Sequence, residues 1–176
     1  AAAMPSIRVG GIDCHIGSQI TELSPFADAE EKILDIVDQL AAEGIPLEHI
    51  DFGGGLGVCY KDEVPPSKRE FVRLILDHLE ARGYKHLAVT LEPGRSIIAN
   101  AGILITRVIR DKTGETKNFA IVDAAMNDMG RPMFYEAWMG IVPAVPRDGA
   151  TRTYDVVGPI CESGDWLGRD RELCIE

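Results

Sequence analysis

Basic residues are in short supply. The 176 residues hold 18 lysines and arginines against 28 aspartates and glutamates, a net charge of −10. An acidic chain without a basic stripe is a poor match for a phosphate backbone, which excludes nucleic acid as a partner. Long apolar runs are also missing. Stretches such as Gly102 to Ile105 fall far short of the roughly 20 residues of a membrane span, so no membrane association is expected. The four cysteines, Cys14, Cys59, Cys161 and Cys174, show neither zinc spacing nor disulfide density. They predict reduced thiols in a cytoplasmic protein, with no metal site. The Ala-Ala-Ala-Met-Pro start lacks the basic region and apolar core of a signal peptide. What is present is 45% apolar residues, 26% charged residues and a mean hydropathy near zero, the make-up of a chain that buries a core.

The first hundred residues alternate strand and helix. Ile7 to Cys14 reads as a strand, with Ser24-Pro25 as cap and first turn of the helix that follows. Phe26, Ala29, Ile33, Ile36, Val37 and Leu40 recur at helical spacing, and Gly44 ends the helix. His49 to Phe52 is a second strand. Ser67 and Glu70 form a capping box before Phe71, Leu74, Ile75 and Leu79, and Gly83 stops that helix. His86 to Leu91 is a third strand. The strand ends lie 38 and 39 residues apart, which implies equal βα units, right-handed crossovers and a parallel sheet. The unusual residues (His15, Gly53-Gly54-Gly55, Glu92-Pro93-Gly94-Arg95) all follow a strand's carboxyl end, where (β/α)8 barrels place their active sites.

Past residue 102 the pattern turns β-rich. Ile103 to Ile109 and Phe119 to Val122 read as a hairpin about a turn at residues 111–115, and no helix is predicted beyond it. The expected architecture is α/β: part of a (β/α)8 TIM-type barrel over 1–102, then part of a β-rich C-terminal domain over 103–176. Eight such units need roughly 250 residues, and the last six residues read as an interrupted strand, so a piece of a larger enzyme is expected.

Taken singly, the motifs are ambiguous. A glycine tract after a strand offers N–H groups to an anion or simply makes a turn. Glu92 and Arg95 can be a surface pair. His15 and Ser18 can be structural, Cys161 can be inert packing, and Asn127 to Pro132 can be a turn carrying a solvated Arg131 beside a packed Tyr135. Taken together, His-Ile-Gly-Ser-Gln, Gly-Gly-Gly, Glu-Pro-Gly-Arg, Gly-Arg-Pro and Gly-Pro-x-Cys-Glu-Ser-Gly-Asp, in this order, resemble the fold-type III pyridoxal-phosphate-dependent decarboxylases. The resemblance covers residues 7 to 176.

That resemblance implies a carboxy-lyase with pyridoxal 5′-phosphate as its cofactor, acting as a homodimer with shared active sites. It implies cofactor contacts from His15, Ser18, Gly53, Gly54, Gly55, Glu92, Pro93, Gly94 and Arg95, with His15 on the ring face and Glu92 on the pyridine nitrogen. It implies Cys161 as proton donor, supplied with Glu162 across the dimer interface. Arg95, Arg131, Tyr135 and Glu162 would bind a substrate with an amino-acid group at both ends, meso-diaminopimelate, giving L-lysine and CO2. Relatives acting on ornithine or arginine have Asp where this chain has Glu162; a carboxynorspermidine-type activity is a weaker neighbour. The lysine that holds the cofactor covalently lies outside this chain. Lys32, Lys61, Lys68, Lys85, Lys112 and Lys117 fall on helix faces or in turns, and by itself the chain is expected to be inactive. The rivals are a non-catalytic, decarboxylase-like binding protein and a barrel-type racemase. The intact Cys161, Glu162, Arg131 and Glu92 speak against the first, and the Cys-Glu-Ser-Gly-Asp run against the second.

Overall fold

In the computed structural model, which describes residues 1–175, the chain divides into two units, Ala1–Gly102 and Ile103–Glu176. The first carries three parallel strands in spatial order: β1 (Gly11–Asp13), β2 (His49–Asp51) and β3 (Ala88–Thr90). The helices α1 (Ser24–Ala42) and α2 (Lys68–Ala81) are the crossovers. Three consecutive parallel βα units are a stretch of a (β/α)8-type barrel, and the unit that follows is a sheet.

The strands are shorter than the apolar runs. β1 starts at Gly11 rather than Ile7, because its neighbour β2 begins only at His49, after Pro46, and leaves residues 7–9 without a ladder partner. A Cβ at Gly11 would overlap the His49 imidazole, so a glycine is needed for the ring to lie against the strand. Ser24 is also not the cap expected of it. It lies within the first turn of α1, Leu23 precedes the helix without a side-chain cap, and Pro25 fills the first turn. α2 does start at a capping box: Ser67 Oγ accepts the Glu70 N–H, and Glu70 accepts the Ser67 N–H at 2.8 Å. Gly44 and Gly83, at φ 75° and 79°, take the left-handed turns that end the two helices.

The helical stripes converge on one core of Phe26, Leu34, Val37, Ile50, Phe71, Ile75 and Leu79, with the Phe26 and Phe71 rings 4.6 Å apart. Each fully enclosed aliphatic there contributes about 1.5–3 kcal/mol by leaving water. Ile36, expected on the apolar stripe, is instead 40% exposed. Beyond α2, Arg82 joins Glu31, Asp35 and Asp38 of α1 at 2.8, 2.8 and 2.5 Å.

The second unit is a four-stranded sheet in the order β4 (Val108–Thr113), β5 (Asn118–Val122), β6 (Arg152–Val157) and β7 (Trp166–Leu173). The hairpin is present, but β4 is shifted. Asp111, Lys112 and Thr113 pair with Ala120, Phe119 and Asn118, so Lys112 stands on a strand and the turn tightens to Gly114–Lys117. All of β4 is exposed, so polar residues cost nothing there. A short helix that periodicity does not reveal, α4 (Arg131–Tyr135), follows Gly130 with Pro132 in its first turn. Five residues are too few to show a helical period. Another short helix, α3 (Arg95–Ile98), follows the Glu-Pro-Gly turn of the first unit. Ala120, Val122, Tyr154, Val156, Leu167 and Leu173 form this sheet's core. β7 ends at Leu173; of the strand expected at the chain's end, Glu176 lies outside the described residues. Among the described residues no helix is long and apolar enough to cross a membrane.

Candidate active site

Hydrogen bonds past the strand ends draw three loops together. The Cys14 N–H donates to the Asp51 carbonyl at 3.0 Å, and the Glu92 N–H donates to the Gly53 carbonyl at 2.7 Å. The glycines make this approach possible. Gly53 and Gly55 have φ of 66° and 100°. A Cβ at Gly54 would overlap the Glu92 carbonyl oxygen, and one at Gly55 the Gly17 carbonyl oxygen. The tract is therefore packed backbone against backbone. Its N–H groups are mostly committed: Gly53 donates to Asp51 Oδ1 at 2.8 Å and Gly54 to His15 Nδ1 at 3.3 Å. Among the described residues the Gly55 N–H has no such partner. The Gly54 bond to His15 Nδ1 holds the imidazole ring in one orientation.

Two sets of polar groups flank this turn. Arg95 donates from Nη2 to Ser18 Oγ at 2.8 Å and from Nη1 to Tyr60 Oη at 2.6 Å, with its guanidinium 5.7 Å from the Tyr60 ring centre. Among the described residues its buried Nε has no hydrogen-bond partner. On the other side, carboxylate oxygens of Asp13, Asp51 and Glu92, one from each strand end, lie within 4.8 Å of one another. Burial, and then the charges of Asp13 and Asp51, push the neighbouring Cys14 thiol up and keep it protonated. Three clustered carboxylates repel one another and favour a cationic group beside them.

In the second unit Cys161 is exposed, on the loop between β6 and β7. Glu162 next to it accepts the Gly164 N–H and the Ser163 hydroxyl, each at 3.1 Å, and the Gly164 bond above all holds its carboxyl below the usual range. Arg131 opens α4 rather than standing in a turn, and its guanidinium lies 5.1 Å from the Tyr135 ring centre. Tyr135 is 70% exposed, not packed.

Parallel βα units that bring a histidine, a glycine turn and an acid to their carboxyl ends make the first unit part of a barrel-type cofactor enzyme. Residues 1–99 match the family model of the pyridoxal-binding domain of pyridoxal-dependent decarboxylases. The chain belongs to the pyridoxal-dependent decarboxylase family. It is 53% identical to a diaminopimelate decarboxylase of Vibrio cholerae over 176 residues, all of this chain and 42% of that protein. Among solved structures it resembles diaminopimelate decarboxylase of Helicobacter pylori complexed with L-lysine (TM-score 0.89, 38% identity, 99% of this chain, 42% of the other). It also resembles a lysine/ornithine decarboxylase of Vibrio vulnificus complexed with cadaverine (TM-score 0.83, 26% identity, 96% of this chain, 45% of the other). The chain thus spans about two-fifths of the length of these relatives.

The donor set fits pyridoxal 5′-phosphate: a carboxylate cluster suited to a protonated pyridine nitrogen, an imidazole fixed in orientation, and Ser18, Arg95 and the Gly55 N–H suited to a phosphate. The sequence motifs do not mark Asp13, Asp51 and Tyr60 as members of this group. For Asp51 a signal exists, since Asp two residues before a glycine turn commonly caps it. For Tyr60 there is none.

Proposed function

We propose that the full-length protein decarboxylates meso-diaminopimelate to L-lysine and CO2, using pyridoxal 5′-phosphate, as a cytoplasmic homodimer with shared active sites. The observation that carries this reading is the 53% identity over the whole chain, with the Cys161-Glu162 pair and Arg131 in the same chain as Glu92. The four cysteines are unpaired, as a reducing compartment requires.

The cofactor, when bound, supplies the electron sink for the bond broken between Cα and its carboxylate. Glu92 keeps the pyridine nitrogen protonated, and the acids on either side of it raise the negative potential there. His15, held by the Gly54 N–H, covers one ring face. Ser18, the Gly53 to Gly55 turn and the backbone of Pro93, Gly94 and Arg95 hold the phosphate; Arg95 couples that contact to Ser18. Arg95 and Arg131 bind the carboxylate that does not react, because a guanidinium can take it in bidentate fashion. Glu162 binds the distal ammonium, and Tyr135 adds a hydroxyl. The Cys161 thiol, from the partner subunit, returns one proton to Cα as CO2 leaves, which balances the reaction. In this reading 1–102 is the cofactor-binding part and 103–176 carries the substrate and proton-donor loops.

A second reading is decarboxylation of lysine or ornithine, favoured by the likeness to the Vibrio vulnificus enzyme. Those substrates lack the distal carboxylate that Arg131 would bind. The test is CO2 release by the full-length protein with each substrate. Turnover of meso-diaminopimelate with kcat/KM at least about 100-fold above lysine and ornithine is expected, the worth of one buried charge pair left unmade. Preference for ornithine would replace the first reading by the second.

A further inference from the structure

Asp165 is the last acid of the Cys-Glu-Ser-Gly-Asp run, and none of the roles above uses it. It is 4% exposed in a unit whose other charged groups are mostly at the surface. Its carboxylate is spent on backbone. Oδ1 accepts the Met126 N–H at 2.7 Å and Oδ2 accepts the Ile160 N–H at 2.7 Å. Its own backbone closes the same loop: the Asp165 carbonyl accepts the Gly158 N–H at 3.0 Å, and its N–H donates to the Glu162 carbonyl at 2.9 Å. Ile160 immediately precedes Cys161. Met126 lies in the segment that leads into α4, which Arg131 opens.

One buried side chain therefore joins the two loops that carry Cys161 and Arg131. The surroundings are shaped for it. A Cβ at Gly158 would overlap Asp165 Oδ2, so the carboxylate seats only because residue 158 is glycine. A Cβ at Gly164 would come within 2.9 Å of the Met133 side chain, so the loop also lies close on α4. Backbone N–H groups bonded to an ionised carboxylate are among the stronger hydrogen bonds, and two loops held from one anchor move together or not at all.

We infer that Asp165 is a positioning residue: by tying both segments to one carboxylate it holds the Cys161 loop, which serves the partner's site, and the segment that leads to Arg131, which serves the chain's own site. This rests on the proposed roles of Cys161 and Arg131. Asn at 165 keeps the shape but turns an NH2 toward one of the two N–H groups, so at least one bond is lost.

The experiment is amide hydrogen exchange and steady-state kinetics on the full-length enzyme carrying Asp165→Asn. A second variant, Gly158→Ala, keeps the carboxylate but crowds it, together with the Ala124 carbonyl oxygen 2.7 Å from the added Cβ. Exchange at Met126 and Ile160 is expected to rise about tenfold or more in both variants, the equivalent of one lost charge-assisted hydrogen bond, with the amides of β6 and β7 unchanged. KM for meso-diaminopimelate is expected to rise and kcat to fall together about tenfold, while the affinity for pyridoxal phosphate stays within about twofold. A merely structural role would lower the amount of folded enzyme and leave KM alone. Unchanged exchange at the two amides, or raised exchange with kcat and KM intact, would overturn the inference. The functional reading fails separately, if Cys161→Ala in the wild-type background decarboxylates at the full rate.

Discussion

Glu30 Oε2 lies 2.7 Å from His78 Nδ1 between α1 and α2, although Glu30 is only 2% exposed and the pair is not aligned as a hydrogen bond. Burial, with Glu31 beside it, pushes the Glu30 carboxyl from its usual 4.5 up to about 8. The folded state therefore holds a proton that the unfolded chain gives up near pH 4.5. The stability this contributes is complete below that pH and is lost as pH rises toward and through about 8. Thermal melts of the full-length protein should show a lower midpoint near pH 9 than near pH 6. Glu30→Gln should flatten that difference to within about 2 °C, since a side chain that cannot ionise has no linkage to pH.

Gly54 tolerates no side chain. A Cβ there overlaps the Glu92 carbonyl oxygen, which is backbone and cannot swing away. Gly54→Ala should cost about 3 kcal/mol by overpacking and push the Glu92 loop off the tract. The expected outcome is a folded but destabilised protein that takes up little pyridoxal phosphate, read as loss of the visible absorbance band.

Arg95 spans Ser18 and Tyr60 with a planar fork that lysine cannot imitate. Arg95→Lys keeps the charge and loses at least one of the two bonds. The dissociation constant for pyridoxal phosphate should rise about tenfold, measured by titration of cofactor into apoenzyme. A change below twofold would show that charge alone suffices.

Glu92→Gln removes the carboxylate proposed to face the pyridine nitrogen while keeping the N–H that donates to Gly53. Decarboxylation should fall by about 100-fold or more with cofactor still bound, because the loss is confined to the transition state. Asp51→Asn should do less to kcat and more to stability, since Asp51 Oδ1 is committed to the Gly53 N–H.

Much of the first unit was legible in the order of residues. Helical spacing in α1 and α2, the Ser67–Glu70 box and the closing glycines Gly44 and Gly83 are local signals, and the structure carries each of them. Signals that depend on a neighbour do not show in the local pattern. Ser24 has cap chemistry but stands one position inside the helix, and Ile7 is apolar with no strand opposite to pair it. β4 slid into a polar run because the partner β5, not composition, sets where a strand ends.

By itself, the sequence determined the α/β class, the equal parallel units, the sheet that follows them and the places along the chain where chemistry-bearing residues stand, because periodicity, caps and turn residues act over a few positions. Only the tertiary structure decided which of those residues meet. The bond between Ser18 and Arg95 spans 77 positions, and the one between Met126 and Asp165 spans 39. The convergence of Asp13, Asp51 and Glu92 needs three strands in register. Such contacts depend on how loops close and strands align, which no local pattern encodes.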